Sequence, residues 1–167
     1  MVGEMRDIET AQIGIQSSLT GHLVLSTVHT NSAVAAITRL RDMGIESFLL
    51  ASSLRTIISQ RLVRRLCSHC KIENKPTSES VNIFGLDKNK SVFSAKGCDH
   101  CNHTGYQGRI AIAECIQIDK TLKDLIHNNA SENEISDYVF EDNQSIDKAS
   151  INPVSYTHLT LPTTWLV

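Results

Sequence analysis

Four cysteines fall into two C-x-x-C pairs, and no other residue pattern in this sequence predicts its chemistry as clearly. Cys67 and Cys70 form the first pair, Cys98 and Cys101 form the second, and residues 71–97 separate them. Each pair places two thiolates on one tight turn, and two such turns complete the four-coordinate shell that zinc prefers. The spacing therefore predicts a structural zinc site, because a full cysteine shell leaves no open position for catalysis.

Three other interpretations of the paired cysteines stay open at this point: a redox dithiol, an iron–sulfur cluster, and core cysteines without a metal. Neither pair lies in a thioredoxin-like βαβ setting, which disfavours the redox dithiol. His69, His100 and His103 could substitute as metal ligands, although four thiolates suffice. The fifth cysteine, Cys115, lies in an alternating segment and is predicted to be an ordinary core residue. An odd number of cysteines favours a reducing compartment, so we expect a cytoplasmic protein.

One acid and two histidines lie where strand ends are predicted. Glu4 follows a strand-like 1–3, and His22 and His29 flank a short apolar run at 23–25. A carboxylate at the end of a strand can order Mg²⁺-bound water or an attacking water. Strand ends of open α/β sheets face the ligand crevice, where a histidine can sense a phosphate. The alternative is an ordinary surface acid and two structural histidines.

The elements around these residues alternate between helix and strand. Asp7 is predicted to cap a helix that Gly21 ends, and Asn31 or Ser32 to cap a second helix that Gly44 ends. Between them, the apolar run 23–25 predicts a short buried strand, and a long helix is predicted for 47–66. This alternation indicates an α/β layer structure.

The rest of the chain is predicted to hold an inserted module, a strand and two helices. The module spans 67–101 and holds both cysteine pairs. The strand spans 109–118, where isoleucines alternate and Glu114 interrupts the pattern. Helices follow at 121–129 and after the capping box that begins at Ser131.

Composition restricts the possible partners. The chain has 167 residues, a net charge of −2 and 5% aromatic residues. Near-neutral charge and few aromatic side chains argue against a nucleic-acid partner. No apolar stretch is long enough to predict a transmembrane helix, and the first residues do not resemble a signal peptide.

Several segments, in order, resemble the ATPases of type II secretion and type IV pilus assembly. Residues 3–11 are similar to the Walker B region of that family, and 20–31 are similar to its histidine box. Residues 60–67 and 105–109 are similar to the segments that lead into and out of its zinc module.

The resemblance implies an α/β fold, a partial RecA-like P-loop NTPase core with an inserted zinc module and C-terminal helices. It places Walker B and the histidine box in 1–66, the tetracysteine module in 67–104, and a strand with a helical segment in 105–147. The residues 153–167 are predicted to be a non-native or disordered tail.

The resemblance also implies a function: a homo-hexamer that hydrolyses ATP with Mg²⁺ to power type II secretion or type IV pilus assembly. Such an ATPase acts on the cytoplasmic face of the inner membrane, with a membrane platform protein as its partner. The implied catalytic residues are Glu4, His22 and His29. The implied nucleotide or subunit contacts are Arg6, Thr27 and Arg109, and the implied zinc ligands are Cys67, Cys70, Cys98 and Cys101.

The sequence departs from the family pattern in one respect that matters for catalysis. No glycine fits G-x-x-x-x-G-K-[ST], so the phosphate-binding loop is missing from this chain. We therefore expect a piece of the ATPase that is cut at both ends, with 145–147 as its last recognisable trace, and that is inactive alone. The alternative is a non-enzymatic zinc-ribbon module that binds nucleic acid or protein.

Overall fold

The computed structural model describes residues 1–78, 81–82, 87–89 and 91–142. The predicted tail at 153–167 and the trace at 145–147 lie outside the described residues. The described helices are α1 (Ile8–Leu19), α2 (Ala33–Asp42), α3 (Ser47–Ser53), α4 (Lys120–His127) and α5 (Glu132–Asp142). The described strands are β1 (Thr56–Leu66), β2 (Ile72–Asn74), β3 (Val92–Ser94) and β4 (Tyr106–Gln117).

These elements form two compact units. The first holds 1–59 together with the described residues from 114 onward, and the second holds 60–113. The predicted divisions at 66/67 and 104/105 differ from these limits because they follow the cysteine chemistry, and they stay a prediction.

An aliphatic core holds the first unit together. Buried side chains from all five helices meet the end of β4, and Ile37, Leu50, Ile126 and Ile135 are fully buried. Burying each such side chain contributes about 1.5–3 kcal/mol relative to leaving it exposed.

The predicted starts of helices α1 and α2 are confirmed. The Asp7 carboxylate accepts a hydrogen bond from the Thr10 amide at 2.8 Å. The Ser32 hydroxyl accepts one from the Ala35 amide at 3.0 Å, so Ser32 rather than Asn31 is the cap. Gly44 follows α2 with φ +91°, a conformation that glycine adopts without strain.

The carboxy-terminal helices begin on side-chain caps as well. The Asp119 carboxylate accepts from the Leu122 amide at 2.8 Å at the start of α4. The predicted capping box is present at α5, where the Glu134 carboxylate accepts from the Ser131 amide at 2.7 Å. The Glu134 amide donates back to the Ser131 hydroxyl at 3.3 Å.

The predicted buried strand at 23–25 is wrong. The segment runs parallel to residues 2–5, with the Val2 amide donating to the Leu25 carbonyl at 3.0 Å and one bridge between Glu4 and Thr27. It forms no longer ladder among the described residues, and Leu23 and Leu25 are 81% and 59% exposed. Apolar character alone predicted burial, whereas burial requires a second layer of side chains.

The predicted helix at 47–66 is also wrong, because α3 ends at Ser53 and Thr56–Leu66 form strand β1. β1 pairs with β4. The Ile118 amide donates to the Arg55 carbonyl at 2.9 Å, and the Cys67 amide donates to the Gly105 carbonyl at 2.9 Å. These bonds join opposite ends of the strands, so the pair is antiparallel. The β-branched residues at 56–58 favour this extended conformation over a helix.

Strand β4 confirms the predicted alternation. Ile112, Glu114 and Ile116 are buried, and the residues between them are exposed. Cys115 is therefore exposed, and its prediction as a core residue was wrong because successive side chains of a strand face opposite sides.

The second unit contains one further strand pair, β2 with β3. They are antiparallel, with Ile72 opposite Ser94 and Asn74 opposite Val92. The Asn74 amide group donates to the Ser94 hydroxyl at 2.8 Å. Among all described residues, no helix combines the length and the apolar character needed to cross a membrane.

Candidate functional site

The four paired cysteines come together in the second unit. Their Sγ atoms all lie within 4.8 Å of one another. The Sγ–Sγ distances are 3.9 Å for Cys67–Cys98, 3.8 Å for Cys70–Cys101 and 3.8 Å for Cys98–Cys101. A tetrahedral zinc with Zn–S bonds of about 2.3 Å has S–S edges of about 3.8 Å. The thiol geometry therefore fits a single tetrahedral metal ion.

Backbone amides are directed at one of these sulfurs. The amides of Cys98 and Gly105 each donate to the Cys101 Sγ at 3.2 Å. Burial raises the pKa of Cys101, but these two amide hydrogen bonds, together with those from the Cys70 and Cys98 side chains, outweigh it and lower the pKa to about 6. Burial raises the pKa of Cys70 to about 11. Cysteine binds a metal ion as thiolate, so a metal ion bound at this cluster would favour loss of the thiol protons.

The neighbouring histidines make other contacts. The rings of His69 and His100 stack with their centroids 4.2 Å apart and an interplanar angle of 20°. The His103 Nε2 lies 3.1 Å from an Asp99 carboxylate oxygen. Within the described part of the chain, the ligand cluster contains the four cysteines alone.

A second cluster forms in the first unit around Glu4. The Arg6 guanidinium lies 2.6 Å from one carboxylate oxygen of Glu4, and the His29 Nε2 lies 3.4 Å from the other. Thr27 is the bridge partner of Glu4 across the parallel pair. The structure thus brings together four of the residues singled out in the sequence, at the carboxyl end of that pair.

The Glu4 carboxylate is sheltered, whereas its two partners are not. The Glu4 side chain is 22% exposed, against 75% for Arg6 and 85% for His29. The hydrogen bond from Arg6 is the largest effect on Glu4 and lowers its pKa, with His29 adding a smaller effect in the same direction. Glu4 is therefore a carboxylate near neutral pH, and both of its partners are exposed.

Two predicted residues lie elsewhere. The His22 Nδ1 lies 3.2 Å from the Thr20 hydroxyl and 3.3 Å from the Ser17 carbonyl, at the end of α1. Because Leu25 pairs with Val2, His22 lies toward the amino end of the parallel pair, whereas Glu4 lies toward its carboxyl end. Arg109 lies on β4 in the second unit with an exposed side chain.

Sequence reasoning missed the role of one buried acid. Glu114 is 3% exposed, and its Oε1 accepts a hydrogen bond from the Ala33 amide at 2.7 Å, at the start of α2. The signal was present in the sequence, since Glu114 occupies an inward position of an alternating strand. An inward acid needs a buried donor, and the sequence does not show which donor that is.

A protein family and its members match this chain over most of its length. The family model described as "Type II/IV secretion system protein" matches residues 1–163. The chain is 47% identical over 156 residues to "Type II secretion system protein E" of Aeromonas hydrophila, covering 92% of the chain and 31% of that relative. It is 45% identical over 139 residues to "Type IV pilus assembly ATPase TfpB" of Acinetobacter baylyi, covering 81% of the chain and 24% of that relative.

Solved structures show the same fold. The pilus retraction motor PilT with bound ADP superposes with a TM-score of 0.64 at 22% identity, covering 95% of this chain and 36% of PilT. The Legionella pneumophila ATPase DotB superposes with a TM-score of 0.62 at 18% identity, covering 95% and 35%. The predicted fold class, part of a RecA-like secretion ATPase core, is confirmed.

The curated relatives match most of this chain, and the chain spans about a third of their length. The match nevertheless includes the Glu4 segment, the histidine segment and both cysteine pairs, because it extends over 1–163. The resemblance recognised in the sequence is confirmed, and the chain belongs to the type II/IV secretion system protein family.

Proposed function

We propose that this chain is part of an ATPase that hydrolyses ATP to power type II secretion or type IV pilus assembly. Family membership supports this, as do the names of relatives such as the "Type II secretion system ATPase E" of Vibrio cholerae, which is 48% identical over 156 residues. The chain contributes the groups that act on water and on the terminal phosphate.

The observation that carries the proposal is the environment of Glu4. Its carboxylate is ionised, sheltered and located at the carboxyl end of a parallel strand pair, where α/β folds bind their ligands. In this position a carboxylate orders the water molecules around Mg²⁺ or orients the attacking water. When nucleotide binds, the exposed side chains of Arg6 and His29 contact phosphate oxygens beside Glu4.

The other predicted residues receive supporting roles. Thr27, opposite Glu4, donates its hydroxyl to nucleotide or its water shell. Arg109 is exposed and reaches nucleotide or a neighbouring subunit. His22 belongs to the histidine segment by resemblance, and its contacts at the end of α1 support a structural part in it.

The cysteine cluster is proposed to hold one structural zinc through Cys67, Cys70, Cys98 and Cys101. Their S–S distances of 3.8–3.9 Å support this. Bound zinc supplies the cross-link that holds the two turns together, since the surrounding segment has few buried apolar residues of its own.

The assembly proposed for the whole protein follows from the family. It is a homo-hexamer that works at the cytoplasmic face of the inner membrane with a membrane platform protein. An exposed arginine such as Arg109 suits a subunit interface, because its guanidinium can bind a carboxylate of the neighbouring subunit or a phosphate of the nucleotide.

Glu4→Gln in the whole ATPase tests the proposal. We expect kcat to fall by roughly a hundredfold, because the amide cannot orient water as a carboxylate does, while ATP still binds. ATP turnover and binding of a fluorescent ATP analogue measure the two effects. Glu46→Gln is the matched control, since Glu46 is exposed and makes no side-chain capping bond. A wild-type rate for Glu4→Gln contradicts the proposal.

A further inference from the structure

Glu114 is the buried charged side chain that the proposed chemistry leaves unexplained. Among the described residues, Glu114 is the one charged residue that is buried, at 3% exposure. Burying a carboxylate is costly unless donors compensate it, and its Oε1 accepts the Ala33 amide at a short 2.7 Å. The donor to this carboxylate, the Ala33 amide, indicates which part of the fold Glu114 holds in place.

The carboxylate holds the first turn of α2. The first amides of a helix have no partner inside the helix, and the Ser32 hydroxyl caps only the Ala35 amide. The Ala33 amide is buried, with Ala33 1% exposed, and Glu114 is its acceptor. A negative charge at this end is also favoured by the helix dipole. Glu114 therefore ties α2 to β4.

His29 lies four residues before this turn. Only residues 30–32 separate His29 from Ala33, and the Thr30 hydroxyl donates to the Ser32 carbonyl at 2.9 Å, which tightens this connection. The His29 Nε2 lies 3.4 Å from Glu4. A shift of the first turn of α2 is thus transmitted over three residues to the histidine.

We propose that Glu114 is a positioning residue, which holds the amino terminus of α2 so that His29 lies beside Glu4. The effect of Glu114 on catalysis rests on the proposed ATPase function, in which His29 acts beside the catalytic carboxylate of Glu4. Glu114 itself is buried, so the role proposed for it acts through α2.

The first experiment measures positioning in this chain without any activity. Glu114→Met keeps the length of the side chain and removes the acceptor, and Glu114→Gln keeps one acceptor oxygen without charge. By NMR, we expect Glu114→Met to move the Ala33 amide signal upfield and to shift the His29 ring signals, while those of His127 stay. Unchanged His29 signals overturn the proposal.

Leu122→Ala is the matched control for general destabilisation. Leu122 is 1% exposed in the same core, and its truncation leaves the carboxylate of Glu114 intact. We expect it to lower the melting temperature without moving the His29 signals. If Leu122→Ala shifts His29 as much as Glu114→Met does, the role of Glu114 is only structural and the proposal fails.

The second experiment measures kinetics in the whole ATPase. We expect Glu114→Met to lower kcat by roughly ten- to a hundredfold with KM for ATP within about twofold, because a misplaced group slows the chemical step. Glu114→Gln keeps an acceptor oxygen but lacks the charge, so we expect a smaller, measurable loss of kcat of about threefold. A kcat loss no larger than that of Leu122→Ala overturns the proposal.

The two experiments separate this inference from the proposed function. If the wild-type whole protein does not hydrolyse ATP, the proposed function fails, and the NMR result still decides whether Glu114 positions His29. If Glu114→Met does not fold, Glu114→Gln decides. A threefold loss of kcat with displaced Ala33 and His29 signals then supports the proposal, and wild-type values overturn it.

Discussion

At the scale of single residues, two glutamates show how differently one side chain is used. Glu4 remains partly exposed, and the hydrogen bond from the exposed Arg6 guanidinium lowers the pKa of Glu4. Glu4 is therefore charged and available to a ligand. Glu114 is buried and accepts a helix amide, so it is unavailable to any ligand. The difference comes from burial and from the donor, because both residues are glutamates at or near a strand.

Asp119 offers a test of capping at the residue scale. Its carboxylate accepts hydrogen bonds from the Tyr138 hydroxyl at 2.6 Å and from the Leu122 amide at 2.8 Å. We expect Asp119→Ala to lower the free energy of unfolding by about 1 kcal/mol, as loss of a helix cap does. Asp119→Asn keeps a side-chain oxygen that can cap the helix, so we expect a smaller decrease in the free energy of unfolding. Urea unfolding followed by circular dichroism measures both changes.

The same residue predicts a pH dependence. The hydrogen bond from Tyr138, and then that from the Leu122 amide, lower the pKa of Asp119 below its ordinary value of 3.8. Its contribution is therefore complete above about pH 4 and is lost as the pH falls through the lower, folded pKa. We expect the stability difference between wild type and Asp119→Asn to shrink from pH 6 to pH 3. A constant difference contradicts the assignment, and any acid-induced metal loss affects both proteins equally.

At the scale of elements, the cysteine module depends on its turns. Gly105 and Gly108 have nearly equal φ values of +77° and +75°. A Cβ on Gly105 meets the Ala95 Cβ at 2.5 Å, whereas a Cβ on Gly108 meets no atom within 4 Å. The two glycines share the same backbone requirement and differ in the space around them.

We therefore expect Gly105→Ala to weaken metal binding far more than Gly108→Ala. Each substitution costs about 1 kcal/mol of backbone strain. Gly105→Ala also displaces the amide that donates to the Cys101 Sγ, and loss of such a partner lowers metal affinity by roughly 10- to 100-fold. Competition with a chromophoric chelator measures the affinity. Equal losses for the two variants contradict this account of the turn.

The metal itself is tested on the same module. We expect one zinc per chain by elemental analysis, and Cys101→Ser to abolish it, because a hydroxyl is a poor replacement for a thiolate. Chelation should unfold the segment around the cysteines, seen as loss of amide-signal dispersion for 67–74 and 92–105. Cys115→Ser is the control, since Cys115 is exposed and outside the cluster. Metal-free protein with unchanged signals contradicts a structural zinc.

At the scale of the whole molecule, the chain carries the groups proposed to activate water, and its sequence contains no phosphate-binding loop motif. No G-x-x-x-x-G-K-[ST] occurs among the 167 residues, and that loop supplies most of the contacts to phosphate. We expect the purified chain alone to release phosphate from ATP no faster than its Glu4→Gln variant. A malachite-green assay measures this, and turnover above the variant contradicts the expectation.

Several features of the molecule were predictable from sequence because local chemistry sets them. Asp7 and Ser131 cap their helices as predicted, since a cap requires only a side chain and the next turn of backbone. The alternation in β4 was predictable for the same local reason. Residues 56–66 were predicted as helix and form a strand, because pairing with the distant β4 supplies their backbone partners. No window of sequence around them contains that partner.

By itself, the sequence predicted the four paired cysteines as one cluster, most of the helix caps and the family, because spacing and residue type carry that information. The tertiary structure alone decided that Arg6 and His29 meet at Glu4 while His22 does not, and that Glu114 holds the start of α2. These contacts join residues as far apart as Ala33 and Glu114. Their formation depends on the strand pairing and the burial that follow from the folded chain, which a linear pattern does not encode.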